Sequence, residues 1–298
     1  MTLSSTYPQE KILFIVNPVS GSGRQKRIEA LIGKYLDKSS YQPTVVFTEA
    51  KGHAFDLAME AVKERVAVVA AVGGDGTVNE VAKGLVGSGV ALAIIPTGSG
   101  NGLARHLKLP MNVKRAIGII NRGKRQKIDT ASMNGSFFVN VAGVGFDAFV
   151  ARKFEQSEKR GFFSYFSIST SAYNAYKPKK YIITIDGEVY KRRALMVSFA
   201  NSSQFGNNTT VAPKATLDDG LIDVCIMRKL PFWKITLLSP LVFTGQFDKT
   251  PYLEIIQGKE VVVKRKKGKY VHLDGDPGKE DKTFTIKVHP LSLQVIVP

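Results

Sequence analysis

The chain is short of cysteine, of acid and of long apolar runs. Its single cysteine, Cys225, excludes an internal disulfide and a cysteine-ligated zinc module, and fits a reducing, cytoplasmic setting. No run of about 18 apolar residues occurs, so no membrane-spanning helix is expected. The N-terminus MTLSSTYPQEKILFIVNP lacks a basic stretch and a small-residue cleavage site, so no signal peptide is expected. Acid is scarce: 25 Asp and Glu stand against 42 Lys and Arg, a net charge of +17. Such a surface attracts polyanions. Recognisable nucleic-acid motifs are missing too: there are no finger cysteines, no aromatic RNP pattern and no basic region feeding heptads. No specific nucleic-acid partner is therefore expected, which leaves anionic lipid or nucleotide phosphate as the better match for the charge.

What is present suffices for ordinary cores: 44% of the 298 residues are hydrophobic. In the first third, strand-like and helix-like segments alternate. KILFIV (11–16), TVVFT (44–48), VAVVAAV (66–72) and VALAIIP (90–96) read as strands. The last two are continuous apolar runs, as in strands buried on both faces. Ile28, Leu31, Ile32, Tyr35 and Leu36 recur at helical spacing, as do Phe55, Ala58, Met59 and Val62. This pattern predicts a parallel, three-layer α/β domain over residues 1–130. Beyond it the segments are mostly strand-like, with helical stretches near 161–177 and 231–247. Asp186-Gly187 and Asp219-Gly220 are expected hairpin turns. Residues 131–287 are thus expected to form a mostly antiparallel β domain.

Three glycine-bearing loops follow strands of the first domain: VNPVSGSGRQK, VGGDGTVNEV and IIPTGSGNGLARHL. In a parallel sheet all three lie at the carboxyl ends of the strands, where ligands bind. Thr77 and Glu80 have capping-box spacing, which predicts a helix start at Thr77 with free N–H groups and a favourable dipole for an anion. Asp75 beside bound phosphate would be repulsive unless a divalent cation lay between them. A plain glycine turn with Asp75 as a local cap is the bland alternative for that loop taken alone. Three such loops on one edge favour a shared nucleotide cradle. None matches G-x-x-x-x-G-K-[ST] or G-x-G-x-x-G with its downstream acid, so the usual ATPase and dinucleotide motifs are excluded.

NPVSGSG (17–23), GGDGTVNEV (73–81), PTGSGNGLAR (96–105), NVAGVGFDA (140–148), ATLDDGLIDV (215–224) and HLDGDP (272–277) occur together and in order. In this the chain resembles the diacylglycerol kinase catalytic-domain family, which includes bacterial lipid kinases and eukaryotic diacylglycerol, sphingosine and ceramide kinases. The resemblance spans essentially the whole chain.

It implies an N-terminal α/β domain like those of phosphofructokinase and NAD kinase, completed by residues 288–298, and a β-sandwich-like C-terminal domain, with ATP in the cleft between them. Contacts to ATP are implied for Asn17, Ser20, Gly21, Thr48, Gly73, Gly74, Asp75, Gly76, Thr77, Asn79 and Ser99. The position where bacterial members usually carry the glutamate of LDGE, their proton acceptor, is Asp276. Sphingosine kinases assign base work to the aspartate matching Asp75. Asp276 is therefore the first catalytic candidate, with Asp75 and Asp274 in support. Thr216 and Leu221 carbonyls and the Asp219 carboxylate match a structural Mg²⁺ loop. Asp147 falls near the expected lipid headgroup, or is a strand-end acid. One departure stands out: many bacterial members have an acid where this chain has Gly102.

The resulting expectation is an ATP- and Mg²⁺-dependent kinase acting on a lipid hydroxyl, cytoplasmic and docked peripherally on anionic membrane. An NAD kinase-like phosphotransferase and a non-catalytic nucleotide- or lipid-binding regulator are the alternatives, and a homodimer is left open.

Overall fold

The computed structural model describes residues 9–20, 27–157, 162–268 and 270–298. In chain order its elements begin with β1 (Glu10–Val16), α1 (Ile28–Tyr35), β2 (Tyr41–Phe47), α2 (His53–Lys63), β3 (Val68–Gly73), α3 (Asp75–Leu85), β4 (Ala91–Pro96), α4 (Gly102–His106) and α5 (Val113–Arg122). There follow β5 (Arg125–Met133), β6 (Ser136–Phe138), β7 (Val141–Gly145), α6 (Phe146–Glu155), α7 (Phe162–Tyr173), β8 (Lys179–Ile185), β9 (Glu188–Ala194) and β10 (Met196–Ala200). The last are β11 (Gln204–Gly206), β12 (Thr209–Thr210), β13 (Ile222–Met227), α8 (Phe232–Phe243), β14 (Leu253–Gly258), β15 (Glu260–Arg265), β16 (Tyr270–Leu273), β17 (Asp276–Lys279) and β18 (Thr283–Ile296). No helix among the described residues is long and apolar enough to cross a membrane.

The chain divides into two compact units, one of residues 1–98, 107–127 and 293–298, the other of residues 99–106 and 128–292. In the first, β2, β1, β3 and β4 pair in that order, all parallel. Gln294 and Val295 add a further parallel strand beside Ala91 and Leu92. Every residue of β3 and β4 is buried, which is why both read as unbroken apolar runs. α5 is bounded as its sequence dictates: the Asn112 side chain accepts the Arg115 N–H at its start, and Gly123 takes the left-handed conformation (φ 66°) at its end.

The capping box expected at Thr77 and Glu80 does not form. α3 begins at Asp75, so Thr77 lies inside the helix. Glu80 turns instead to the neighbouring helix: its carboxylate accepts the N–H groups of Gly52 (2.9 Å) and Ala54 (3.2 Å) at the start of α2. It thus satisfies orphan donors of a helix that lacks a side-chain cap of its own.

The second unit is a sandwich of antiparallel strands. One sheet runs β14-β13-β10-β7-β16-β17. The other contains β9, β8, β15 and residues 283–287 of β18. Val144, Val197, Phe199 and Val224 of the first share a buried core with Tyr181, Ile183, Val263 and Phe284 of the second. The Phe199 and Phe284 rings meet edge to face at 6.2 Å.

Asp186-Gly187 is the expected two-residue hairpin, with φ of 46° and 92° and Ile185 paired to Glu188. Asp219-Gly220 is not: it lies in the loop that leads into β13 and joins no paired strands. A helix the sequence reading lacked, α6, begins at Phe146, so Asp147 is a first-turn helical acid and not a strand-end one.

Candidate functional site

In the first unit the loops after β1, β3 and β4 are tied into one structure. The Asn17 N–H donates to Val72 O (3.0 Å), and its Nδ2 donates to Thr77 Oγ1 (3.1 Å). Ser20 Oγ donates to Asn17 O (3.0 Å) and lies 2.8 Å from Thr97 Oγ1. The N–H groups of Thr97 and Gly98 both reach Gly73 O, at 2.9 and 3.3 Å. Space requires glycine at position 73, where a methyl would overlap the Thr77 side chain; at Gly74 a methyl would be a tight fit, 3.3 Å from Gly98 Cα. Thr48 sits at the end of β2, its N–H on Val16 O (2.9 Å). Asn17, Ser20, Thr48, Gly73, Gly74 and Thr77 are thereby brought to one sheet edge. Asp75 and Gly76 form the opening of α3, and Asn79 follows half-buried on the next turn. Anions are favoured at such a helix start. Gly21 lies outside the described residues.

Ser99 is exposed and opens the short stretch that belongs to the second unit. There Gly100 O accepts the N–H of Asn207 and Nε of Arg105, both at 2.9 Å. Gly102, where an acid would have matched many relatives, has no room for one. An added Cβ would lie 2.5 Å from Asn140 Nδ2 and 3.0 Å from Gln204 O. Asn140 itself is fixed, donating to Gln204 O (2.9 Å) and accepting from Ser202 Oγ.

Asp274 and Asp276 lie on the hairpin of β16 and β17. Asp274 (φ 49°) and Gly275 (φ 91°) form its turn, and Leu273 pairs with Asp276. The two carboxylates are therefore not neighbours on one strand face. Asp274 Oδ2 accepts the N–H of Val139, and its Oδ1 accepts those of Asn140 and Val141, all at 2.9 Å. Asp274 pins the turn to the start of β7. Asp276 is exposed at the head of β17.

Sequence reasoning missed what lies beneath this turn. His272 Nε2 and Asp147 Oδ2 are 3.1 Å apart, and Ser198 Oγ donates to the same oxygen at 3.2 Å. Asp147, Ser198 and His272 are all buried. His272 Nδ1 accepts the Gly275 N–H at 3.4 Å, which assigns the ring hydrogen to Nε2 and its donation to Asp147. Buried Tyr176 is held neutral far above the usual phenol range, by burial first and then by the charge of Asp147. Arg265 clamps the other end of the hairpin, donating to Tyr270 O and Glu280 O, both at 2.9 Å. The histidine of HLDGDP was the available signal; its partner lies 125 residues away.

The loop of Thr216, Asp219 and Leu221 forms a separate group. Asp219 Oδ1 accepts the Leu221 N–H (3.0 Å). Buried Asp129, which sequence reasoning also missed, accepts Gly220 N–H and Leu291 N–H, both at 2.7 Å. Asp223 is pushed up to about 6, chiefly by burial, with the charge of Asp219 adding to it against a hydrogen bond from Gln257. Among the described residues no three His, Cys, Asp or Glu side chains converge to hold a metal.

A parallel α/β unit with glycine-bearing loops at its strand ends and a second unit that is an antiparallel sandwich make up the fold that diacylglycerol kinases and NAD kinases share. Residues 11–133 match the diacylglycerol kinase catalytic domain, and residues 140–297 match the YegS C-terminal NAD kinase beta sandwich-like domain. A Staphylococcus saprophyticus protein named diacylglycerol kinase is 27% identical over 274 residues, 91% of this chain and 90% of its own. A Bacillus anthracis crystal structure of a diacylglycerol kinase superposes with a TM-score of 0.75 at 23% identity, covering 97% of each chain. An Archaeoglobus fulgidus NAD kinase in complex with ATP gives 0.53 at 14% identity, over 96% of this chain and 93% of its own. At these identities the two structures speak for the fold. The chain belongs to the diacylglycerol kinase catalytic-domain family and is a kinase.

Proposed function

We propose that this kinase transfers the γ-phosphoryl group of ATP to the hydroxyl of a diacylglycerol-like or sphingoid lipid. The observation that carries the nucleotide half is the fusion of three polar loops at one sheet edge through Asn17–Thr77 and Ser20–Thr97. The lipid half rests on family membership and on the names of relatives such as the S. saprophyticus protein. Phosphoryl transfer asks a protein mainly to position groups and neutralise charge. Asn17, Ser20, Gly73, Gly74, Gly76, Thr77 and Asn79 hold the phosphates with backbone and side-chain donors. Thr48 and Ser99 add further contacts. Asp276 accepts the hydroxyl proton as the new P–O bond forms.

Two places have the donor chemistry of Mg²⁺. Asp75, a carboxylate among phosphate-type loops, would orient a cation against the nucleotide. Thr216, Asp219 and Leu221 present only oxygen donors, and Thr216 and Asp219 are exposed enough to keep waters on the ion, the ligand set that Mg²⁺ prefers. Bound Mg²⁺ would supply charge neutralisation on phosphate oxygens at the first and loop order at the second.

The test is an ATP/Mg²⁺ assay over a lipid panel with labelled γ-phosphate, followed by extraction into organic solvent. Label in the organic phase with diacylglycerol, phosphatidylglycerol, a sphingoid base or ceramide supports the proposal and names the acceptor. Label that stays aqueous, appearing only when NAD is supplied, overturns it in favour of an NAD kinase.

A further inference from the structure

α8 has an unusual distribution of side chains. Ile235, Leu238, Leu241 and Val242 pack onto the core beneath. On the opposite side Phe232, Trp233, Leu237 and Phe243 are 59%, 68%, 69% and 52% exposed. With exposed Thr236 and Pro240 they fall at i, i+1, i+4, i+5, i+8 and i+11, one continuous outward stripe. A helix apolar on both sides belongs inside a core or in lipid, and an outward patch of aromatics and leucine marks an interaction site.

Three features of this surface favour lipid as the occupant. First, charge: from Val224 to Leu253 the chain carries Arg228, Lys229, Lys234 and Lys249 against one acid, Asp248. Second, Lys234 Nζ lies 5.1 Å from the centre of the Trp233 ring and donates to Tyr252 Oη at 3.0 Å, so cation and aromatics sit at one level, as at a membrane interface. Third, the helix satisfies its own backbone. Pro240 lacks an N–H, which would leave the Thr236 carbonyl without its usual helical donor. The Ser239 hydroxyl donates to that carbonyl (3.2 Å), and Thr244 Oγ1 donates to Pro240 O (3.2 Å). Bonding hydroxyls back onto the helix suits a medium without water.

We propose that α8 is an in-plane membrane anchor that inserts Phe232, Trp233, Leu237 and Phe243 into the headgroup–acyl boundary of an anionic bilayer. The proposal deepens the lipid-kinase reading and rests on it for its purpose: the anchor brings the enzyme to a substrate that does not leave the membrane.

Trp233 is the only tryptophan of the chain, so its fluorescence reports this helix alone. Vesicles of equal parts phosphatidylglycerol and phosphatidylcholine should shift its emission to the blue. Phosphatidylcholine vesicles should bind about tenfold more weakly, and added salt should move the first curve toward the second. The triple variant Phe232→Ser, Leu237→Ser, Phe243→Ser removes only exposed side chains, so its melting temperature should hold while its vesicle affinity falls at least about tenfold. With acceptor embedded in vesicles its turnover should fall in parallel, and with a short-chain diacylglycerol dissolved as monomer it should not. Unshifted emission on vesicles, or undiminished vesicle binding by the triple variant, overturns the proposal. So does light scattering that shows a dimer which the triple variant dissociates, since the patch would then be a contact between copies. If the wild type phosphorylates neither dissolved nor embedded lipid, the kinase's proposed substrate is wrong, while the fluorescence titration still decides whether α8 docks.

Discussion

His272 and Asp147 form a buried pair, Nε2 to Oδ2 at 3.1 Å, that couples the first turn of α6 to the hairpin of Asp274 and Asp276. The same imidazole accepts the Gly275 N–H from its other nitrogen. A single ring thus links a buried carboxylate to the exposed turn on which the proposed proton acceptor stands.

The pair needs the space above Gly143. A methyl there would overlap Asp147 Oδ2 and approach His272 Nε2 at 2.6 Å. Gly143→Ala is expected to cost about 1–3 kcal/mol of stability by overpacking, and to lower kcat through the displaced hairpin. Ser198→Ala removes one hydrogen bond to the same carboxylate and should cost about 1 kcal/mol. Thermal unfolding and turnover, measured on both variants, check the order.

Asp274 and Asp276 should separate cleanly by what their variants lose. The Asp274 carboxylate answers three backbone N–H groups. In Asp274→Asn one oxygen becomes an amide donor facing other donors, with an expected loss of about 2–3 kcal/mol in denaturant titration. Exposed Asp276→Asn should stay within about 0.5 kcal/mol of the parent, keep ATP binding and abolish turnover. Full activity in that variant would remove Asp276 from the role of proton acceptor.

Gly102 makes a prediction opposite to what comparison with relatives suggests. Restoring an acid by Gly102→Asp should not raise activity. The new Cβ falls against Asn140 Nδ2, and the strain should lower stability by about 1–3 kcal/mol. Adding Asn140→Ala should recover part of that loss, because it vacates the space. A melting temperature unchanged in the single variant would show that the loop yields freely.

A pH-dependent term is expected from Asp186. Its carboxylate accepts the N–H groups of Glu260 (2.9 Å) and Lys259 (3.0 Å), and these hold its pKa below the ordinary 3.8, the Glu260 bond most of all. A depressed carboxylate stabilises the fold above its unfolded value and loses that contribution as pH falls through the folded one. Asn-Gly suits this turn as well as Asp-Gly, so Asp186→Asn isolates the carboxylate. The variant should melt lower at neutral pH by well under about 1 kcal/mol, given the exposure of the site, and match the parent in strong acid.

How much of this was legible depended on the range of the contacts involved. β3 and β4 declared themselves because burial on both faces leaves a parallel strand no polar position. Asp186-Gly187 and Asp219-Gly220 are the same dipeptide, yet only the first joins paired strands; the second is shaped by Asp129, 91 residues away. Thr77-x-x-Glu80 has capping spacing, but Glu80 found better donors on α2, at a separation no local pattern records. α6 was hidden because its start, GVGFDAF, has the glycines and apolar residues of a strand end. The tie between Asp274 and residues 139–141 was equally out of reach, since backbone donors carry no sequence signature.

The parallel pairing that Gln294 and Val295 add beside β4 has a consequence for synthesis. β4 leaves the ribosome early, and its partner Gln294–Val295 is made some 200 residues later. Throughout that interval the nascent α/β sheet carries an unfilled edge, open to pairing with other chains. The first unit can fill that edge of its sheet only after the whole sandwich has been synthesised, so the unit that is begun first is the last completed.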